Sequence, residues 1–163
     1  MPTRLRLAVL LAALWWGSLS AVALLVVPLL FHALPSPALA GGVAARLFSA
    51  QCWVALACGV ALLLMLKGDA VSGAAPSART GIVLVFLGLL LALLLEHGVA
   101  PRIVARHNLA LWHGVGSAMV LAQWLASGLL LWALLPRPMM VAAGESPGHA
   151  GSPADTRLSP PSS

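Results

Sequence analysis

The sequence predicts an all-α fold: an integral membrane four-helix up-down bundle followed by a disordered C-terminal tail. The composition is too apolar for a soluble domain, four apolar segments have the length of membrane helices, and the composition changes sharply near the C-terminus. Of 163 residues, 61% are apolar and 8% are charged, against roughly half apolar and about a quarter charged in a soluble domain. The mean hydropathy is +1.00. So few charges cannot cover the surface of a water-soluble globule.

Four apolar segments follow one another, and a helix needs roughly 20 apolar residues to cross the hydrocarbon core. We predict spans at residues 7–30, 39–66, 80–100 and 108–135. The second carries Arg46 in its first turns, and the third reaches membrane length only if Glu96–Ala100 continue it. Lipid offers no partner to backbone polar groups, so helices are expected. Short connections predict antiparallel packing of neighbouring helices in one domain, residues 1–135.

The two ends of the chain differ in composition: the N-terminal end is apolar, and the C-terminal end is rich in Pro, Ser, Gly and Ala. Arg4 and Arg6 before an apolar run are typical of a secretory signal, and Ala21-Val22-Ala23 resembles a cleavage site. The apolar run continues to Leu30, however, so we expect it to remain as the first helix. Residues 136–163 are rich in Pro, Ser, Gly and Ala, and such a tail buries too little apolar surface to offset its ordering entropy.

The basic residues predict orientation rather than a nucleic-acid partner. The formal charge is +5, but the basic residues are scattered singly and form no patch. Lys and Arg in short loops favour the cytoplasmic side. The side with both termini holds Arg4, Arg6, Lys67, Arg79 and Arg137. The other side holds Arg46, Arg102 and Arg106. Both termini are therefore predicted to be cytoplasmic.

Glu96 is the acidic residue predicted to enter the bundle. Ionisable groups in membrane helices normally face the interior and form pairs. Arg46 enters at a comparable depth and is the expected partner, with Arg102 as the second candidate. The sequence therefore predicts a structural polar cluster of Arg46, Glu96 and Arg102 near the outer end of the bundle. The alternative is a substrate or proton site at Glu96.

His97 and His113 are the candidate cofactor ligands. They are predicted at matching depth on facing helices, where two imidazoles could ligate a haem iron or a metal. A buried histidine is more often hydrogen-bonded to a neighbouring hydroxyl, carboxylate or carbonyl, so no metal site and no cofactor are predicted.

Cys52 and Cys58 lie on different sides of one helix and are interpreted as small buried residues. Gly17-x-x-x-Ala21 and Gly114-x-x-x-Ala118 mark candidate points of close helix approach.

The sequence also lacks several enzyme signatures. It has no phosphate-binding glycine loop, no His-Glu-x-x-His and no serine nucleophile elbow. No catalytic residue is therefore predicted, and the protein is expected not to be an enzyme.

The first two predicted helices carry a more specific pattern, LWWGSLSAVALLVVPLLFHALPSPALAGGVAARLF. With Pro101-Arg102 and His113 in the second half, it resembles the bacterial membrane family catalogued as domain of unknown function 4149, which is similar to eukaryotic transmembrane protein 205. The resemblance covers about residues 7 to 135. It implies four transmembrane helices in a bacterial inner membrane and no assigned activity.

Three functional hypotheses follow. The first is handling of a small solute or metal by a non-enzymatic membrane protein. The alternatives are a haem-binding oxidoreductase using His97 and His113, and an accessory subunit of a membrane complex. The expected partner is the lipid bilayer, and a second copy or another membrane protein is left open.

Overall fold

The computed structural model describes residues 3–71, 76–105 and 108–135. These residues form four long helices and no strand. We number the helices in chain order by their apolar spans: α1 Thr3–Ala33, α2 Pro37–Gly68, α3 Ala78–Val104 and α4 Leu109–Leu134. The α2 helix itself continues to Val71, and the α3 helix begins at Pro76. The tail predicted to be disordered, residues 136–163, lies outside the described residues.

The first three helices run past their predicted spans at both ends. Hydropathy marks only the part of a helix that suits hydrocarbon, whereas the helix itself continues into the headgroup region. The extension matters most in α3, which continues beyond residue 100 to Val104. Glu96 therefore lies well inside the helix rather than at its end.

The four helices form a ring in which each packs against its neighbours in sequence, and α4 closes the ring against α1. Each is long and apolar enough to cross a membrane, which confirms the predicted all-α membrane bundle. Large apolar side chains face outward from every helix, for example Leu10, Leu64, Phe86 and Leu129. This surface suits contact with lipid tails.

Glycines on α2 and α3 allow the helices to approach closely. A Cβ atom at Gly88 would lie 2.8 Å from the indole of Trp15, which is fully buried and reaches from α1 to α3. A Cβ atom at Gly59 would lie 2.6 Å from the side chain of Leu89. At Gly17 and Gly114, by contrast, an added Cβ atom would meet nothing within 4 Å. The small-residue pairs singled out in the sequence are therefore not the points of close approach within this chain.

Two helices contain a short π-helical segment just before a proline. Ala21–Val26 in α1 precedes Pro28, and Leu95–Val99 in α3 precedes Pro101. Proline has no N–H to donate, and its ring clashes with the carbonyl of the preceding turn. A π-helical turn changes the local hydrogen-bonding register, and such turns often occur at functional sites. The segment in α3 contains Glu96.

Candidate functional site

A cavity lies at the middle of the bundle. All four helices line it, and the lining includes Leu19 of α1, Cys52 of α2, Ala92 of α3 and Gln123 of α4. Each of these residues is close to the midpoint of its helix. The other lining residues are Phe48, Gln51, Leu95 and Glu96. Because the centres of membrane-spanning helices lie near the bilayer midplane, the cavity is deep in the hydrocarbon region.

Glu96 is the acidic group of this cavity, and its partner is Ser49 of α2. The Ser49 Oγ atom lies 2.8 Å from Oε1 and 2.9 Å from Oε2 of the carboxylate. A hydroxyl has one hydrogen, so these contacts are a single hydrogen bond shared by two acceptor oxygens. In residues 3–71, 76–105 and 108–135, no arginine or histidine nitrogen lies within 4.0 Å of the carboxylate.

The structure does not bring the predicted cluster of Arg46, Glu96 and Arg102 together. Arg102 donates from Nη1 to the carbonyl oxygen of Gly98, one turn earlier, and its guanidinium lies 4.6 Å from the ring centroid of Trp112. Arg46 is exposed on the outer surface of α2. Glu96 instead lines the interior cavity, and neither guanidinium lies within 4.0 Å of its carboxylate.

Two glutamines supply the amide groups of the cavity. Gln51 is 5% exposed, and its Nε2 donates to Ser18 Oγ at 3.1 Å. Gln123 is only 2% exposed, and its side chain makes no hydrogen bond to any described residue. Buried polar groups are nearly always hydrogen-bonded. Among the described residues, the fully enclosed side-chain atoms without a partner are Nε1 of Trp15 and Nε1 of Trp16. The amide of Gln123 differs from them because it lines the cavity.

The cavity is small and rich in acceptors. It offers about 10 Å³ to the centre of a water-sized sphere, close to the minimum that holds a water molecule. Drug-sized ligands occupy pockets of roughly 300–1,000 Å³. A carboxylate and two amides around so small a space can bind a water molecule or a small ion, but they cannot enclose an organic cofactor.

The two cysteines differ in their relation to the cavity. Cys52 lines it, with Sγ 3.7 Å from the carbonyl oxygen of Ala92. Cys58 is buried in the same helix and is not among the lining residues. Both thiols are free. They form a natural pair of probes, one at the cavity and one about 9 Å away along the axis at 1.5 Å per residue.

A polar contact outside the cavity joins α4 to α1. The Nε1 atom of Trp124 donates to Ser20 Oγ at 2.7 Å, and this hydroxyl lies 2.7 Å from the carbonyl oxygen of Trp16. The Trp16 and Trp124 rings are 5.6 Å apart and tilted by 36°. Ser49–Glu96 joins α2 to α3, and Gln51–Ser18 joins α2 to α1. With the contact of Trp124, side-chain hydrogen bonds therefore join three pairs of neighbouring helices. Such contacts stabilise membrane bundles by roughly 0.6–2 kcal/mol each.

One comparison with known proteins gives a match. The sequence model of a family described as Domain of unknown function (DUF4149) matches residues 10–111. The chain belongs to this family. No curated protein and no solved structure matches the chain.

The DUF4149 match contains most of the cavity. Its range includes the lining residues of α1, α2 and α3 together with Ser18 and Ser49. Gln123 of α4 lies beyond residue 111 and therefore outside the match. The family description assigns no activity.

His97 and His113 are not brought together inside the bundle. Both side chains are exposed. Gly116 packs against Val99, and Arg102 packs against Trp112. In an antiparallel pair this register places His113 beside Arg102, more than one turn nearer the helix end than His97. Among the described residues, no group of three or more His, Cys, Asp or Glu side chains could hold a metal ion.

Sequence reasoning predicted Glu96 but missed the residues that surround it. The site residues predicted from the sequence did not include Ser49, Gln51 or Gln123. Their positions along the sequence could have identified them, because each of these polar residues lies near the midpoint of its predicted span. Matching those depths across the antiparallel helices would have placed them in one layer.

Proposed function

We propose that the protein is a non-enzymatic, multi-pass protein of the bacterial inner membrane that binds a small solute in the cavity around Glu96. The observation that carries the proposal is Gln123, a side chain 2% exposed that lines the same cavity as Glu96 and makes no hydrogen bond to any described residue. A buried polar group without a partner costs roughly 1–3 kcal/mol in proteins. A bound solute would offset that cost.

The carboxylate supports the same conclusion. An ionisable residue in a membrane span is costly and usually marks a functional site. Glu96 has one hydroxyl partner, and no basic side chain in the described ranges neutralises it. A purely structural polar contact would need only Ser49 and Glu96. It would not need the amide of Gln123 on the same cavity, since this amide makes no hydrogen bond to any described residue.

The proposal also includes the orientation of the chain in the membrane and the contacts of its outer surface. We place both termini in the cytoplasm because Lys and Arg are more numerous on that side of the membrane. Contact with lipid follows from the exposed leucines and other apolar side chains of the four helices. A second copy or another membrane protein would pack against the same surface.

The cysteines provide the test. Two single-cysteine variants are made in the full chain: Cys58→Ala keeps the cavity thiol, and Cys52→Ala keeps the thiol outside the cavity. Each is purified in detergent and titrated with Ag⁺, a small cation that replaces the thiol proton and forms a stable S–Ag bond. We expect the Cys58→Ala variant to take up one Ag⁺ per chain rapidly and the Cys52→Ala variant to react much more slowly.

The rate difference is the informative quantity, because both thiols are buried in the same helix. Rapid uptake by Cys52 alone shows that a small solute reaches the cavity from water. Equal rates in the two variants, or no uptake by either, contradict the proposal and leave the polar layer as a structural contact.

A further inference from the structure

We propose that the solute is a small monovalent inorganic cation, held by the carboxylate of Glu96 and the side-chain oxygens of Gln51 and Gln123. This inference rests on the proposed function, since it names the ligand of the same cavity. Three features of the cavity favour such an ion: oxygen atoms that lack a donor among the described residues, the charge of Glu96 and the small volume.

The hydrogen bonds around Gln51 determine which of its atoms is open. Ser18 Oγ lies 3.0 Å from the carbonyl oxygen of Trp15 and donates its one hydrogen there. Ser18 must therefore accept from Gln51, whose Nε2 is 3.1 Å away. This contact fixes the orientation of the amide, and Oε1 of Gln51 has no donor among the described residues.

The other oxygens of the cavity are also short of donors. Both oxygens of Glu96 share the single hydrogen of Ser49, and the amide oxygen of Gln123 has no donor among the described residues. Each carboxylate or amide oxygen has two lone pairs. Carboxylate and amide oxygens are hard ligands and favour hard cations over soft metals. The cavity thus offers a set of oxygen ligands from three helices.

The charge of the site selects a monovalent ion. Glu96 is the one formally charged side chain that lines the cavity. A cation of charge +1 makes the site neutral, whereas a divalent ion would leave an uncompensated positive charge where charge is costly. The cavity, about 10 Å³ for the centre of a water-sized sphere, admits a dehydrated ion and excludes larger organic cations.

The experiment measures ion-dependent stability of the full chain. Melting temperatures are recorded in detergent in NaCl, KCl or choline chloride at equal ionic strength, for the wild type, Glu96→Gln and Gln123→Leu. Ser127→Ala is the matched control, because Ser127 is buried in α4 one turn from Gln123 and does not line the cavity. A ligand that binds only the folded state raises the melting temperature.

We expect Na⁺ or K⁺ to raise the melting temperature of the wild type and of Ser127→Ala by several degrees relative to choline. Glu96→Gln and Gln123→Leu should lose this rise. Equilibrium dialysis with radiolabelled Na⁺ or K⁺ should then give one ion per wild-type chain and none for Glu96→Gln. If Glu96→Gln does not fold, Gln123→Leu alone decides the comparison.

Equal melting temperatures in the three salts overturn the inference, as does a rise that persists in Gln123→Leu. A larger rise with Mg²⁺ or Ca²⁺ than with Na⁺ and K⁺ also overturns it, since the site would then take a divalent ion. Rapid Ag⁺ uptake at Cys52 with no effect of Na⁺ or K⁺ removes the cation inference and leaves the solute cavity standing. Absence of Ag⁺ uptake removes the proposed function itself.

Discussion

The hydroxyl of Ser49 on α2 lies 2.8 and 2.9 Å from the two carboxylate oxygens of Glu96 on α3. This contact joins residues from two antiparallel helices well inside the bundle. A serine hydroxyl does not neutralise a carboxylate, so the contact fixes the position of Glu96 while leaving its charge available. This combination of fixed geometry and uncompensated charge suits a binding site better than a structural ion pair.

Ser49 and Glu96 should show coupled effects on stability. In choline chloride, Ser49→Ala should lower the free energy of unfolding by about 1–3 kcal/mol, because it leaves a partly buried carboxylate without the hydroxyl that donates to it. The double variant Ser49→Ala with Glu96→Gln should lose less than the sum of the single losses. Denaturant titration in mixed micelles measures all four species. Strictly additive losses would show that the two side chains do not interact.

The two glutamines should respond oppositely to replacement by leucine. Gln123→Leu removes an unpaired buried amide and should raise the free energy of unfolding in choline chloride by about 1 kcal/mol. Gln51→Leu breaks the hydrogen bond to Ser18 and should lower it by about 1 kcal/mol. The same titration in mixed micelles compares them. Destabilisation by both variants would mean that the amide of Gln123 has a partner in the folded protein.

Two glycines form a second matched pair. Gly88→Ala places a Cβ atom 2.8 Å from the Trp15 indole, and such overpacking typically costs about 1–3 kcal/mol. Gly17→Ala meets nothing within 4 Å, so the better helix propensity of alanine should make it neutral or stabilising by up to about 1 kcal/mol. Melting temperatures in detergent measure the difference. A similar loss in both variants would contradict the close contact between α1 and α3.

Orientation in the membrane is tested with reporter fusions. We expect a fusion at Ser36, between α1 and α2, to report a periplasmic location. A fusion at Gly144 should report a cytoplasmic location, because four spans return the chain to the side on which it began. Paired alkaline phosphatase and fluorescent-protein fusions give opposite signals on the two sides. Periplasmic activity at Gly144 would reverse the predicted orientation.

The sequence by itself determined the class of the protein and the number of its helices. Hydropathy is a local sum, so four apolar segments are recognisable without any tertiary contact. The same local reasoning identified Glu96 as an acid that enters the bundle. The motif pattern of the first two helices, rather than hydropathy, indicated the resemblance to DUF4149, which the family match over residues 10–111 confirms.

Only the tertiary structure decided which side chain meets Glu96. The partner depends on the rotation of each helix about its axis and on the antiparallel register between helices, and neither is encoded by hydropathy. The π-helical segment Leu95–Val99 changes both in α3, because a π-helical turn shifts the residues after it around the helix axis. Arg102 is thereby placed over Trp112, and Glu96 is left with Ser49 and the cavity.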